Sequence, residues 1–279
     1  FKEHLEFTSS IIEKLMGKDE LVEVGCGKGF FLELLLKKGF NVTGFDPTYE
    51  GKNENIKKML FKPGICNLSQ GLILRHILEH VQNPFEFLME LKKANGGVGK
   101  IYIEVPCFDW MCDHKAWFDI YYEHVNYFRL SDFHRMFEKI FEYGRSFGGQ
   151  YLYIVADLGS LKKPKIDQKD LVTIPNDFMA SLNINSINAD CAIWGGAAKG
   201  VIFSLLHERL FRPIKTVIDI NPAKQNKFLP GTGLIVQSHT DALKTLKPKS
   251  TIYVMNSNYL EEIKKMSKNK YNYIGIDNV

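Results

Sequence analysis

The 279-residue sequence lacks the marks of several protein classes. No apolar run reaches the roughly 18 residues that cross a bilayer, so a transmembrane helix is not expected. A strong charge of one sign is also missing, because 36 Lys and Arg stand against 32 Asp and Glu, giving a net charge of +4. Both signs are mixed along the chain, whereas a nucleic-acid partner would need one coherent basic face. Solvated surface is therefore the favoured interpretation of the lysine-rich stretches.

Cysteine is scarce and odd in number. Five cysteines stand at positions 26, 66, 107, 112 and 191, which favours free thiols in a reducing compartment over a disulfide scaffold. We therefore expect a cytoplasmic protein. Cys107 and Cys112 lie near His114, but their spacing fits no common zinc pattern and no second pair follows, so no metal is expected.

Apolar runs that alternate with amphipathic segments predict an α/β fold with a mostly parallel sheet. A closing antiparallel hairpin distinguishes this sheet from a plain dinucleotide-binding fold. Only 25 residues separate Asp46 from Leu72, too few for a full helix–strand–helix crossover. The predicted elements are helix 3–16, strand 21–24, helix 30–38, strand 41–45, strand 72–74, helix 84–94, strand 101–105, helix 131–141 and a hairpin of 143–147 and 151–155.

The second half of the chain predicts another unit. Residues 157–189 are rich in Lys, Pro, Asp and Ser and predict a linker between a first domain of residues 1–156 and a smaller Rossmann-like α/β domain of residues 190–279. Its predicted elements are strands 191–194, 216–220, 251–255 and 273–276, with a helix ending at 206 and another over 259–266.

A glycine-rich loop with an acid before it follows the first predicted strand. Its residues are Glu23, Gly25, Cys26, Gly27 and Gly29. Glycines let main chain approach a ligand closely, and Asp46, at the end of the next strand, can accept hydrogen bonds from a ribose diol. The spacing Gly-x-Gly-x-Gly differs from the dinucleotide fingerprint, and Glu23 can neutralise an amino group. S-adenosylmethionine (SAM) is therefore favoured over a nicotinamide cofactor.

These residues, with segment 72–84, resemble the class I SAM-dependent methyltransferases over about residues 21–156. The resemblance implies that Glu23 and residues 25–29 bind the methionine part of SAM and that Asp46 binds the ribose. It also implies that His76 lines the cofactor pocket. A non-catalytic SAM-binding module and an NAD-dependent dehydrogenase are the remote alternatives.

Two histidine segments suggest chemistry. His76-x-x-Glu79-His80 also occurs in inverted zinc peptidases, but Pro84 follows too closely for the sustained helix that such a metal site needs. Residues 121–128 follow the strand 101–105 and an aromatic loop. In one interpretation His124 is a base whose basicity is adjusted by the adjacent Glu123. In the other, His124 is a polar core residue under aromatic side chains that pack on the sheet.

The chain resembles the two-domain sugar C-methyltransferases in the segment Tyr121-x-Glu123-His124, in His80 and in residues 194–200. Members of this family act on nucleotide-linked keto sugars in polysaccharide biosynthesis. The resemblance implies that His124 is the general base, with Tyr121, Glu123 and His80 around the sugar. A histidine can remove a proton from carbon beside a ketone near neutral pH. O-methylation of a sugar hydroxyl would use the same base, so the methylated atom stays open.

The second domain carries a glycine segment of its own. Gly195–Gly200 is not a nucleoside triphosphate loop, because Lys199 precedes Gly200 and no Ser or Thr follows. Asp219 stands 24 positions after Gly195, as Asp46 follows Gly25. This pattern indicates a second nucleotide site, an inherited fold without a ligand, or a wall of the acceptor cleft with Lys199 or Asn256 near a diphosphate.

Overall fold

The computed structural model of the chain describes residues 2–65, 69, 71–120, 122–182 and 191–276. These residues form two compact units, one of Phe1–Trp110 with Glu123–Val172 and one of Met111–Tyr122 with Thr173–Val279. Residues 183–189 of the predicted linker lie outside the described residues. Among the helices of the described residues, none is long and apolar enough to cross a membrane.

The first unit confirms the predicted mostly parallel α/β sheet. Its strand order is β3-β2-β1-β4-β5-β7-β6, with β7 antiparallel to both of its neighbours. The predicted closing hairpin is therefore confirmed. The elements are α1 Lys2–Met16, β1 Leu21–Val24, α2 Phe30–Lys37, β2 Val42–Phe45, β3 Ile56–Lys57, β4 Gly71–Arg75, α3 Pro84–Ala94, β5 Lys100–Pro106, α4 Phe108–Asp113, α5 Leu130–Met136, β6 Ile140–Ser146 and β7 Tyr151–Asp157.

Two apolar layers cover the faces of this sheet. Alternate strand residues point to opposite faces, so Leu72 and Ile73 belong to different core clusters. The first cluster includes Leu88 of α3, and the second includes Ile12 of α1 and Leu32 of α2. Burial on both faces explains why the central strands read as continuous apolar runs.

Two predicted helix ends are wrong, one of them in the second unit, where the helix expected to end at residue 206 continues to Arg209. The helix expected to reach residue 141 ends at Met136, and Phe141 lies in β6. Residues 140–145 alternate between half-buried and exposed positions, a period of two that fits a strand paired with β7. The sequence near Phe141 predicts a helix wrongly, because a short apolar run fits the repeat of either a helix or a strand.

The second unit confirms the predicted second α/β sheet. Its five strands run parallel in the order β10-β9-β8-β11-β12. Strand β10 and helix α7 were not predicted, although Ser238 caps α7 by accepting from Asp241 N at 3.1 Å, a recognisable start signal. The elements are β8 Cys191–Trp194, α6 Ala198–Arg209, β9 Thr216–Ile218, β10 Val236–Gln237, α7 His239–Thr245, β11 Thr251–Val254, α8 Leu260–Met266 and β12 Asn272–Gly275.

Candidate functional site

The register of the first sheet brings three loops together. Val24 pairs with Phe45 on one side and Leu74 on the other, so β1, β2 and β4 end at one edge. The glycine loop, Asp46 and His76 follow directly from these strand ends. Ligands of α/β sheets bind outside the carboxyl ends of the strands, and the predicted cofactor residues are placed at that edge.

The glycine loop is tied to the acid that follows β2. Gly25 N donates to Phe45 O at 2.7 Å, and Gly27 N donates to Asp46 Oδ2 at 2.7 Å. Gly27 has φ +55° and open space where a Cβ would stand, whereas a Cβ on Gly25 would come within 2.3 Å of Ile77. The main chain at Gly27 is therefore open on the side where a side chain would stand, whereas Ile77 covers Gly25.

Asp46 is buried, and its carboxylate already accepts three hydrogen bonds. Besides Gly27 N, it accepts from Thr48 N at 2.8 Å and from Thr48 Oγ1 at 2.7 Å. A carboxylate has about four acceptor positions. The contacts of the described residues thus leave capacity for one further donor, such as a ribose hydroxyl.

A cavity of about 290 Å³ opens beside this loop, and the buried acid Glu23 lines it. Glu23 is 3% exposed, and its Oε2 has no hydrogen-bond partner among the described residues. Burial raises the pKa of Glu23 to about 8, although the Arg75 guanidinium opposes the rise. The cavity is lined by residues that include His4, Glu23, Gly25, Cys26, Gly27, Lys28, Arg75, His76 and Tyr151.

This donor set fits SAM. The cationic amino group of the methionine part suits an unpartnered buried carboxyl, and Gly27 leaves room for main-chain contact. Cys26 in the same loop does not act as a thiolate. Burial, aided by the negative charges of Glu23 and Asp46, raises the pKa of its thiol to about 12.

His76 is held between two carboxylates. Its Nε2 lies 3.2 Å from Glu104 Oε1 and its Nδ1 lies 3.3 Å from Glu79 Oε1. Burial alone would lower the pKa of His76, but the hydrogen bonds to Glu104 and Glu79 outweigh it and raise the pKa to about 9. His76 also has φ +52°, an uncommon backbone for a residue with a Cβ. It lines the cavity as a fixed imidazolium.

Glu104 is a buried site residue that sequence reasoning missed. It accepts from Arg75 Nε at 3.0 Å, Tyr102 OH at 2.9 Å and Thr8 Oγ1 at 3.3 Å, and it lies 3.2 Å from His4 Nε2. Burial would raise its pKa, but His4, His76 and Arg75 hold the pKa of Glu104 well below its usual range. A lone Glu inside the apolar strand 101–105 was the available signal.

The geometry does not support the zinc-peptidase alternative. After β4 the chain forms a short 3₁₀ turn, Leu78–His80, and not the α-helix that places histidines four apart on one face. His76 and His80 fall into two different groups of candidate ligand atoms, His4 with His76 and Glu104, and Glu79 with His80 and His124. His76 and His80 are therefore not arranged to bind one zinc ion together, as the peptidase motif requires.

The second histidine segment lies against the first. The rings of His80 and His124 have centroids 4.9 Å apart, and His80 Nδ1 lies 2.8 Å from the carbonyl oxygen of Glu123. Val125 N donates to Glu79 O at 2.9 Å, which fixes the segment on the 3₁₀ turn. Residues 44 positions apart in sequence therefore form one cluster, which periodicity could not predict.

The environment of His124 keeps its imidazole neutral. Burial lowers the pKa of His124 below its ordinary value of 6.5, with Glu79 opposing the shift and His80 adding to it. The Glu123 side chain is exposed, and its backbone carbonyl makes the contact to His80. Tyr121 lies outside the described residues. A neutral half-buried imidazole can accept a proton at pH 7.

Glu79 connects the two clusters and was also not predicted as a site residue. Its Oε1 lies 3.3 Å from His76 Nδ1, and its side chain is 2% exposed. A carboxylate oxygen of Glu79 also lies within 4.8 Å of ring nitrogens of His80 and His124. Glu79 thus links the histidine pair to His76, which lines the cofactor cavity. From the sequence, Glu79 is considered only as part of the rejected zinc motif His-x-x-Glu-His and is assigned no other role.

Comparisons with known proteins agree with this geometry. Residues 2–140 match the family model of a methyltransferase domain. The ubiquinone biosynthesis O-methyltransferase of Rickettsia bellii (strain OSU 85-389) is 34% identical over 88 residues. That match covers 26% of this chain and 36% of the relative, so the chain spans about a third of the length of this curated relative.

Solved structures give weaker likenesses. The 1,6-didemethyltoxoflavin-N1-methyltransferase of Burkholderia thailandensis is 13% identical, with 55% of this chain and 77% of that chain covered and a TM-score of 0.41. A SAM-dependent methyltransferase of Archaeoglobus fulgidus is 19% identical, with 55% and 94% covered and a TM-score of 0.40. Residues 2–140 match the model of a methyltransferase domain, which agrees with the predicted class of enzyme, a SAM-dependent methyltransferase.

Proposed function

We propose that the chain methylates a small polar acceptor, a nucleotide-linked keto sugar, at the carbon beside its ketone, with His124 as general base. The observation that carries this proposal is the neutral His124 beside His80, joined through Glu79 to the cofactor cavity. A base of this kind is needed because such a carbon is not nucleophilic until it loses a proton.

The cofactor residues are assigned by their chemistry. SAM supplies an electrophilic methyl group on a sulfonium and leaves as S-adenosylhomocysteine. Glu23 would accept a hydrogen bond from its amino group, whose positive charge would favour the ionised form of this buried carboxyl. Gly27 would present main chain to the cofactor, and Asp46 would accept from the ribose. His76, which is fixed by Glu79 and Glu104, walls the same cavity. Positioning is the main requirement for transfer to a nucleophile already formed.

The acceptor chemistry falls to the histidine cluster. His124 takes the proton from the acceptor carbon, and the electron pair of that C–H bond moves toward the carbonyl oxygen as an enolate. The enolate oxygen needs a hydrogen-bond donor. We assign this role to Tyr121, or to His80 when it is protonated, because Nδ1 of neutral His80 already donates to Glu123 O at 2.8 Å. Attack by the enolate carbon then forms the new C–C bond.

Hydrogen exchange at the acceptor carbon tests the proposal. With S-adenosylhomocysteine in place of SAM, a nucleotide-linked keto sugar in deuterated water should exchange the hydrogen beside its ketone, because deprotonation precedes methyl transfer. The exchange is followed by proton NMR, and His124→Ala should abolish it.

Methylation at oxygen is the second candidate, supported by the O-methyltransferase name of the relative from Rickettsia bellii. It would give a methyl ether without any carbon exchange. Product analysis by mass spectrometry and NMR separates the two outcomes. A methyl ether product with no exchange would overturn carbon methylation and leave His124 as base for a hydroxyl.

A further inference from the structure

One side-chain cluster of the first unit combines two imidazoles with one carboxylate. The ligand atoms that Glu79, His80 and His124 offer all lie within 4.8 Å of one another, and we call these three residues the triad. Two histidines and one carboxylate bind zinc in open three-ligand sites and iron(II) in facial triads. Imidazole nitrogen favours ions such as Zn²⁺ and Co²⁺ over Mg²⁺ and Ca²⁺, which prefer oxygen ligands.

The carboxylate of Glu79 has an oxygen to offer to an ion. Its side chain is buried, and its Oε2 has no hydrogen-bond partner among the described residues. The other oxygen, Oε1, is the one that lies 3.3 Å from Nδ1 of His76. A buried carboxylate oxygen without a partner costs free energy, and a cation bound to it would remove that cost. The triad therefore lacks a positive group at Oε2.

His80 is both oriented and accessible. Its Nδ1 lies 2.8 Å from the carbonyl oxygen of Glu123, so a neutral ring carries its N–H at Nδ1 and its lone pair at Nε2. Metal-binding histidines commonly donate their other ring N–H to a backbone carbonyl in this way. Since His80 is exposed, an ion in solvent has a path to the buried Glu79.

The backbone holds the three groups near the spacing of a bound ion. Val125 N and Asn126 N both donate to Glu79 O, at 2.9 and 3.1 Å, which ties the segment of His124 to the turn that carries the other two ligands. Ligand atoms on a tetrahedral zinc ion stand about 3.4 Å apart, so side-chain rotations on the order of 1 Å bring the triad onto one ion. Local spacing could not predict this site, because His124 follows His80 by 44 positions.

We propose that the triad binds one divalent transition-metal ion, such as Zn²⁺ or Co²⁺, and that this ion inhibits methyl transfer. A neutral imidazole has one nitrogen with a free lone pair, and a metal ion on His124 occupies the pair that would accept the proton. The metal site depends only on the three side chains. The inhibition rests on the proposed function, in which His124 is the general base.

Titration of the whole, chelator-treated chain with Co²⁺ tests the metal site. We expect one Co²⁺ per chain, with visible absorption bands of nitrogen and oxygen ligands and no thiolate charge-transfer band from a cysteine. Glu79→Gln and His80→Ala should each weaken Co²⁺ binding by at least about tenfold. His134→Ala, the control on the exposed side of α5, should leave it unchanged. Mg²⁺ in about a hundredfold excess should not displace the Co²⁺.

Zinc inhibition tests the second part of the proposal. At a Zn²⁺ concentration that displaces Co²⁺ from the triad, methyl transfer by wild type should fall by at least about tenfold, because His124 is a base worth at least that factor. A chelator should restore the activity. The residual activity of His80→Ala should be insensitive to the same Zn²⁺ concentration, because that variant has lost a ligand.

The two parts fail in different ways. Failure of wild type to bind Co²⁺, a thiolate band in its spectrum, or equal affinity in wild type, Glu79→Gln and His80→Ala would refute the metal site and leave the proposed function intact. The first two results need no variant, so they decide the matter even if a variant does not fold. Metal bound at the triad with methyl transfer unchanged would refute the inhibition and, with it, His124 as the base.

Discussion

Replacement of His124 by Ala should lower turnover by about 10²- to 10⁴-fold, the usual contribution of a general base. SAM affinity should stay within about twofold of wild type, because the residues assigned to the cofactor lie in β1 or directly after β1, β2 and β4, and His124 does not line their cavity. Turnover is measured as methyl transfer at saturating SAM, and affinity by calorimetry. Since the pKa of His124 is lowered, wild-type activity should fall on its acid side only below pH 6.5.

His134 offers a matched control for this substitution. Its ring packs on Tyr143 at 5.5 Å between centroids, and it is exposed on α5. His134→Ala should therefore leave turnover and SAM affinity unchanged. External imidazole should restore part of the activity of His124→Ala if a lost base is the cause. Full activity of His124→Ala, or an equal loss in both variants, would rule out His124 as the base.

Glu104→Gln should destabilise the chain by about 3–5 kcal/mol, the usual effect of removing one partner from a buried ion pair. The neutral amide would leave the Arg75 guanidinium, which lies 2.9 Å from Glu104 Oε1, and the His76 imidazolium without their shared anion. Thermal and denaturant unfolding, followed by circular dichroism, measure the loss. Glu142→Gln is the control, because its pair with Lys14 is solvent-exposed and should contribute less than about 1 kcal/mol.

The pH dependence of stability follows from the same network. The folded-state pKa of Glu104 is depressed, so its contribution is present above its ordinary value of 4.5 and is lost as pH falls. The folded-state pKa of His76 is raised to about 9, so its contribution is full below 6.5 and is lost as pH rises through about 9. Glu104→Gln should flatten both limbs. A variant as stable as wild type at pH 7 would contradict this account of the network.

The sequence predicted the sheet because its strands are buried on both faces. Segments 21–24 and 101–105 are continuous apolar runs apart from Glu23 and Glu104, and glycines or proline mark their ends. Helix α3 was predicted at its observed bounds, since Pro84 suits the first helical turn. The glycine loop and Asp46 were placed correctly relative to one another, because strand ends of a parallel sheet meet at one edge.

The rest depended on contacts distant in sequence. Glu104 contacts His4, 100 residues away in sequence, and His80 contacts Glu123, 43 residues away. The local repeat of apolar residues cannot predict contacts at these separations. The polar exceptions in apolar strands, Glu23 and Glu104, were the readable signs of a buried site. The role of Glu79 could not be predicted, because it depends on contact with His124, 45 positions later in the sequence.

Titration of SAM into Gly27→Val and wild type tests the central claim most directly. A side chain at Gly27 meets open space in the free protein but would fill the position where main chain meets the cofactor. Gly39→Val is the control, since Gly39 also has positive φ and open space but lies beyond the far end of α2. We expect SAM to bind wild type and Gly39→Val with similar affinity, and Gly27→Val at least about 100-fold more weakly. SAM binding by Gly27→Val as tight as by wild type, or no SAM binding by wild type, would contradict the account.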